Sequence, residues 1–197
     1  MTKLLWIDTE TTGTDPEKHA VVQIAGIVDY DGKVQEEFEF FCRPHEGAII
    51  TEKALEIIGR TKEEIMAFPP AYEAYSKLRQ LLYRYVPKYT KDVNQRCKIA
   101  GQNIGFDYGM MESFFKRCGD QYWYASIDRR GIDLIQASVL FRLADKLPVT
   151  EHKLEAIASA LGVDLVAHNA MNDIRATREC YYRLVDILKA APLPVRA

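Results

Sequence analysis

The sequence contains no apolar run near the roughly 20 residues that a membrane-spanning helix requires. Its opening segment, Met1 to Asp8, interrupts a run of four apolar residues with an acid, too short for the core of a secretory signal. The expected compartment is the cytoplasm, with no membrane partner. An excess of positive charge is also missing. There are 26 Lys and Arg against 28 Asp and Glu, a formal net charge of −2. Proteins that grip long duplex DNA by charge alone are normally basic. A nucleic-acid partner would therefore have to be met over a short, metal-assisted contact. Cysteine is sparse: Cys42, Cys97, Cys118 and Cys180 are widely spaced and form no C-x-x-C pair. That spacing speaks against a zinc cage or redox pair and for reduced thiols. Internal repeats, low-complexity stretches and breaks in composition are absent as well.

What is present suits one soluble domain. The 197 residues are 48% hydrophobic and 27% charged, enough to bury a core without staples. Lys3–Ile7 reads as a buried strand, Val21–Tyr30 as a second and Val34–Phe41 as a third, alternating Phe38 and Phe40 with Glu37 and Glu39. Asp31-Gly32 marks a hairpin turn between the latter two. Thr61-Lys-Glu-Glu64 fits a helix capping box. After Pro69-Pro70, apolar residues from Ala71 to Tyr85 recur at helical spacing until Val86-Pro87. Lys98–Gln102 is a short strand, Phe106–Cys118 a helix closed by Gly119, and the region near Ile132 a strand or loop. Helices are expected from Asp133 to Asp145, Lys153 to Leu161 and Asn169 to Ala190. Strands first, then helices interleaved with short strands, indicate a single α/β domain over residues 1–190 with a mixed central sheet flanked by helices. Residues 191–197 are expected to form a short C-terminal tail, which speaks against a long tether to a polymerase.

Three clusters carry chemistry. Asp8-Thr9-Glu10-Thr11-Thr12-Gly13 follows the first strand, and residues two apart on a strand share a face, so Asp8 and Glu10 project together. Carboxylates that close repel unless a cation lies between them, and oxygen ligands suit Mg²⁺ or Mn²⁺. Thr11, Thr12 and Gly13 can turn the chain and offer N–H groups to an anion; a plain polar turn fits the same residues. Asn103 and Asp107, in Gly101-Gln-Asn-Ile-Gly-Phe-Asp107, share a face if a helix starts at once. They serve equally well as a helix cap and a surface acid of its first turn. His168 and Asp173 stand five apart, so one site would need His168 in the loop before the helix. A loop histidine beside a metal can take a proton from water; an exposed histidine and an ordinary helix acid are the alternative. His19, His45 and His152 sit in polar or turn-like contexts with nothing to mark them out.

Taken together, the three clusters resemble the DEDDh family of 3′-to-5′ exonucleases, which includes the proofreading subunits of bacterial replicative polymerases. The first motif stands here as Asp8-Thr-Glu-Thr-Thr-Gly13, the second as Asn103-Ile-Gly-Phe106-Asp107 and the third as His168 through Asp173. Leu55-Glu-Ile-Ile58-Gly59 is similar to the family segment that packs against the terminal base. The likeness runs from about Leu4 to Leu184. Gln102 departs from the histidine the family often carries before the second-motif Asn, which bears on fine substrate contacts. Asp173 through Tyr182 also resembles the oligoribonuclease branch, but Thr9 and Thr11 side with the proofreading-like branch.

The resemblance implies a ribonuclease-H-like fold and a pair of Mg²⁺ or Mn²⁺ ions held by Asp8, Glu10, Asp107 and Asp173, with Asp8 bridging both. It makes His168 the proton acceptor and Thr11, Thr12, Gly13, Ile58, Asn103 and Phe106 the substrate contacts. Phe106 serves equally well as a core residue, and Lys116-Arg117 and Arg129-Arg130 as solvated charges. The implied activity is release of nucleoside 5′-monophosphates from single-stranded DNA ends. The alternatives are an RNA or oligoribonucleotide exonuclease and a catalytically silent binding module; the presence of all five chemical residues speaks against the last. Contact with a polymerase or with a second copy of the chain stays open.

Overall fold

The computed structural model describes residues 2–165 and 169–190. The first strand, β1 (Lys3–Thr11), buries both faces: Leu4 and Trp6 on one, Leu5 and Ile7 on the other. Apolar residues in succession, not alternation, are what a strand covered on both sides requires. β2 (Val21–Tyr30) is buried almost throughout for the same reason. It turns through Asp31 (φ 47°) and Gly32 (φ 85°), the paired positive φ of a tight hairpin, into β3 (Lys33–Phe41). β3 is an edge strand and alternates as expected. Phe38 is buried and stacks on Phe40 at 5.4 Å, while Glu37 pairs with Arg175.

With β4 (Cys97–Gly101) and β5 (Ile127–Asp133), the sheet order is β3-β2-β1-β4-β5. β1 runs antiparallel to β2 and parallel to β4, giving the mixed sheet anticipated from the element order. Two helices, α1 (Glu52–Ile58) and α2 (Lys62–Met66), connect β3 to α3 (Ala71–Tyr85). The Thr61–Glu64 capping box is formed in both directions. α3 and α4 (Ile104–Arg117) cover the Leu5 and Ile7 face with Leu78, Leu82, Met111 and Phe115. α7 (Ala170–Ala190) covers the opposite face around Leu4 and Trp6 and packs with α5 (Leu134–Leu143) and α6 (Leu154–Leu161) in a second apolar cluster. Among the described residues no helix is long and apolar enough to cross a membrane.

Several boundaries differ from the sequence expectation. β1 continues four residues past Ile7, so the first acidic motif lies on the strand itself. α4 begins at Ile104, two residues before Phe106. α1 was not anticipated, because seven residues carry too little periodicity to register. Within α3, Arg79 is only 5% exposed. Its guanidinium pairs with Asp120, donates to Ser126 Oγ at 3.0 Å and lies 4.7 Å from the centre of the Phe115 ring.

Candidate active site

Strand overhang places the acids. β1 pairs with β4 only from Leu4 to Trp6, so beyond Ile7 its β4-side edge is open. Asp107 closes that edge. One of its carboxylate oxygens accepts the Thr9 N–H at 3.0 Å and the Thr9 hydroxyl at 2.7 Å, and the residue is 3% exposed. It lies on the α4 stripe of Ile104, Met111 and Phe114 that faces the sheet, so burial follows from helix phase. A surface acid of the first turn, the alternative reading, is therefore not what Asp107 is. Asp8 and Glu10 follow Leu4 and Trp6 on the other face of β1, where α7 lies. A bulge directly after Glu10 shifts the pairing with β2.

The α7 acid, Asp173, is brought in by packing two turns further along. Tyr181 and Tyr182 tilt onto Trp6 at 5.4 and 6.2 Å. The fully buried Asp29 of β2 accepts from Arg178 Nε at 2.7 Å and from the Tyr182 hydroxyl at 3.1 Å. Arg178 thus enters a buried charge pair with a second donor, the condition under which such pairs hold an element in place.

Four carboxylates from three elements consequently share one end of the sheet. Burial, then the charges of Asp107, Glu10 and Asp173, hold the Asp8 carboxyl well above the usual carboxylate range. Burial also pushes Asp107 up to about 7, with the Glu10 charge adding to it and the two Thr9 donors opposing it. Like charges confined together favour protonation or a cation. Among the described residues no three acidic, histidine or cysteine side chains form a ready-made ion cage, so the group is an electrostatic cluster short of a closed coordination shell. The donor set nevertheless fits hard divalent cations: it is all oxygen, fourfold anionic when ionised, and without sulfur or a described imidazole. His168 lies outside the described residues.

Beside the acids runs a cleft of about 540 Å³. Glu10, Thr11, Thr14, Thr51, Lys53 and His19 give it a polar side; Ala54, Ile57, Ile58 and Phe106 give it an apolar side. Thr11, Gly13, Ile58 and Phe106, all anticipated as contacts, line it. Phe106 is half-buried and also packs on the core, so both readings of it hold in part.

Two anticipated contacts fall elsewhere. Thr12 spends every polar group internally: its N–H goes to the Ala20 carbonyl (2.9 Å), its hydroxyl to the Ile49 carbonyl (2.7 Å), and its own carbonyl accepts from Thr51 (3.0 Å). Its N–H is therefore not available to an anion, which corrects the expectation for that residue. Asn103 precedes α4 in a left-handed conformation (φ 56°) and its side chain makes no capping bond. Its N–H donates instead to Asp133 at 3.0 Å, and it does not line the cleft. Gln102 donates to the His152 carbonyl at 2.9 Å, which ties the start of α4 to the loop before α6. Ile57, 53% exposed, lies within the segment likened to the family's base-packing stretch but is not singled out there, and His19 is a cleft residue the sequence did not mark. His19 carries no local signal.

Known proteins resemble this chain in sequence and fold. The chain is 23% identical over 184 residues to a DNA polymerase III PolC-type of Thermotoga petrophila, covering 93% of this chain and 12% of that protein. It is 25% identical over 178 residues to the PolC-type polymerase of Lacticaseibacillus paracasei, covering 90% and 11%. It superimposes on zinc-bound E. coli exonuclease I in complex with single-stranded DNA with a TM-score of 0.76 at 25% identity, covering 96% of this chain and 41% of that one. For exonuclease I of Methylocaldum szegediense the TM-score is 0.74 at 26% identity, with 95% and 41% covered. The chain thus spans about an eighth of these curated relatives and two fifths of these solved chains, and its fold is ribonuclease-H-like. The exonuclease family RNase_T matches residues 5–181, from β1 to just past the middle of α7, and the chain belongs to that family.

Proposed function

We propose that this chain is a divalent-metal-dependent 3′-to-5′ exonuclease that removes nucleoside 5′-monophosphates from single-stranded DNA ends. The observation that carries the reading is the meeting of Asp8, Glu10, Asp107 and Asp173 at one sheet end, close enough for the Asp8 carboxyl to be held up by the charges of the other three. In this proposal those four residues hold two Mg²⁺ or Mn²⁺ ions. Ions bound there would acidify water and offset the charge that builds on a phosphate in transfer. Two divalent cations also turn a net charge of −2 into +2, which suits a polyanion.

The protein's own groups do the positioning. The paired Thr9 donors fix the Asp107 carboxylate. The Trp6 and Asp29 contacts fix the height of α7 and so of Asp173. Phosphoryl transfer asks little more of a protein than placement and charge. His168 takes the proton of the attacking water, a role assigned from its place in the third motif. The cleft supplies an apolar side for the terminal base, where stacking is worth roughly 1–3 kcal/mol, and a hydroxyl-rich side for its sugar and phosphate. The exonuclease I structure in complex with single-stranded DNA favours DNA as the substrate.

The test is degradation of end-labelled DNA and RNA oligonucleotides with Mg²⁺, Mn²⁺ or EDTA. The expected result is stepwise shortening of DNA from the 3′ end with metal and none in EDTA. Persistence in EDTA refutes the metal reading, preference for RNA refutes the substrate, and inertness towards every strand leaves a binding module.

A further inference from the structure

Gly13 is not a glycine of conformation, since it does not adopt a left-handed backbone. It is a glycine of space. A Cβ added there would lie 2.2 Å from His19 Cδ2 and 2.4 Å from His19 Nε2. The imidazole is pressed against the backbone of the first motif, and the Cδ2–Nε2 edge of the ring occupies what would be the Gly13 side chain.

That ring is locked. The Asp15 N–H points at His19 Nδ1 at 2.9 Å, which makes Nδ1 the acceptor of the neutral ring and leaves the hydrogen on Nε2. The Asp15 carbonyl stands 3.0 Å from Nδ1 and can accept a hydrogen bond from it when that nitrogen carries a hydrogen. Nε2 therefore carries a hydrogen in both charge states. The loop holding it is pinned: Thr12 bonds Ala20 in both directions, and the Lys18 carbonyl accepts from Ile49 at 2.9 Å. The ring lines the same cleft as Glu10, Thr11 and Ile58.

An exonuclease must tell an end from an internal linkage, and the group found only at a 3′ end is the terminal hydroxyl. With the scissile phosphate at the carboxylates, the terminal nucleotide occupies the cleft beside them, and its free hydroxyl lies on the far side of the sugar. Residues 13, 14 and 19 lie on the loop beyond the strand end that carries Glu10. We propose that His19 is a positioning residue that donates Nε2–H to the terminal 3′-hydroxyl oxygen and so selects free ends. This rests on the nuclease reading above.

The experiment compares kcat and KM of the wild type, His19→Ala, His19→Asn and His19→Gln on a DNA oligonucleotide ending in a 3′-hydroxyl and on its 2′,3′-dideoxy counterpart, with folding followed by near-UV circular dichroism. One lost neutral hydrogen bond corresponds to a loss of about 10-fold. His19→Ala loses that factor on the hydroxyl-ended strand, mainly in KM, and nothing further on the dideoxy strand. His19→Gln, whose amide nitrogen matches Nε2, keeps most of the wild-type value. His19→Asn, whose amide matches Nδ1, keeps the fold but behaves like His19→Ala. Gly13→Ala, which must displace the ring, repeats the pattern of His19→Ala. In wild type labelled with ¹⁵N-histidine, the Nε2–H resonance shifts with a nucleoside 5′-monophosphate bearing a 3′-hydroxyl more than with its 3′-deoxy analogue. Multiplicative losses from the substitution and the missing hydroxyl, equal rescue by Asn and Gln, or equal resonance shifts overturn the assignment. A wild type that degrades nothing overturns the nuclease reading and the assignment with it.

Discussion

Replacing Asp107 by Asn should stabilise the metal-free protein at alkaline pH. The carboxyl is nearly buried, and its proton is released at about 7 instead of the ordinary 3.8. The folded chain therefore binds this proton more tightly than the unfolded chain, so stability falls as pH rises from about 4 to about 7, and the full penalty stands above that. At about 1.36 kcal/mol per pH unit the penalty approaches about 4 kcal/mol for full ionisation. Asn has the same shape and can still accept from Thr9, but without the charge that strengthens those two bonds. The net gain expected at pH 8 in EDTA is about 1–3 kcal/mol, a rise in Tm of roughly 3–10 °C for a chain of this size. Thermal melts in EDTA from pH 4 to 8 test it. The gap between variant and wild type should close towards pH 4, and excess Mg²⁺ should close it at pH 8 by stabilising the wild type alone. An Asn variant no more stable than wild type at pH 8, or a gap that ignores pH, refutes the crowded-carboxylate reasoning.

Asp8→Ala should abolish release of nucleotides in the labelled-strand assay while its metal-free Tm stays level or rises, since it removes the most crowded carboxylate. His168→Ala should leave metal binding and Tm in place and lower kcat steeply near neutral pH; an unchanged kcat removes it as the proton acceptor. Ile57→Glu puts a charge on the apolar side of the cleft and should raise KM for oligonucleotides several-fold with Tm unmoved, as its exposure allows. Asp120→Ala strands the buried Arg79 guanidinium and should cost about 3–5 kcal/mol in denaturant titrations.

Local chemistry was legible where it acts over a few residues. The Thr61 capping box, the Asp31-Gly32 turn and the α3 stripe depend on neighbours in sequence and stand where expected. Strand period alone puts Asp8 and Glu10 on one face, as they stand on β1, whereas Asp107 and Asp173 read equally well as ordinary helix acids and are grouped with them only through the family resemblance. What escaped was set by distant partners. β1 reads as ending at Ile7 because Asp8 to Thr11 are polar, yet pairing with β2 carries the strand through them. Thr12 reads as a ligand-facing residue of a turn, but Ala20, Ile49 and Thr51 claim its polar groups. Nothing in the sequence marks Arg79, whose burial in α3 depends on Asp120, 41 residues away. His19 has no signal of its own, since its place depends on what Gly13 lacks.

The seam between the sheet and α7 has a temporal consequence. Asp29 and Arg178, its ionic clasp, are 149 residues apart in the chain, and the outermost carboxylate arrives on the helix that clasp secures. Contacts of such long range close late, because the intervening chain must order before they are rewarded. During synthesis most of the sheet can assemble while the helix still lies within the ribosome. On the nuclease proposal, a chain cut before α7 lacks Asp173 and is expected to release no nucleotides until that helix has docked.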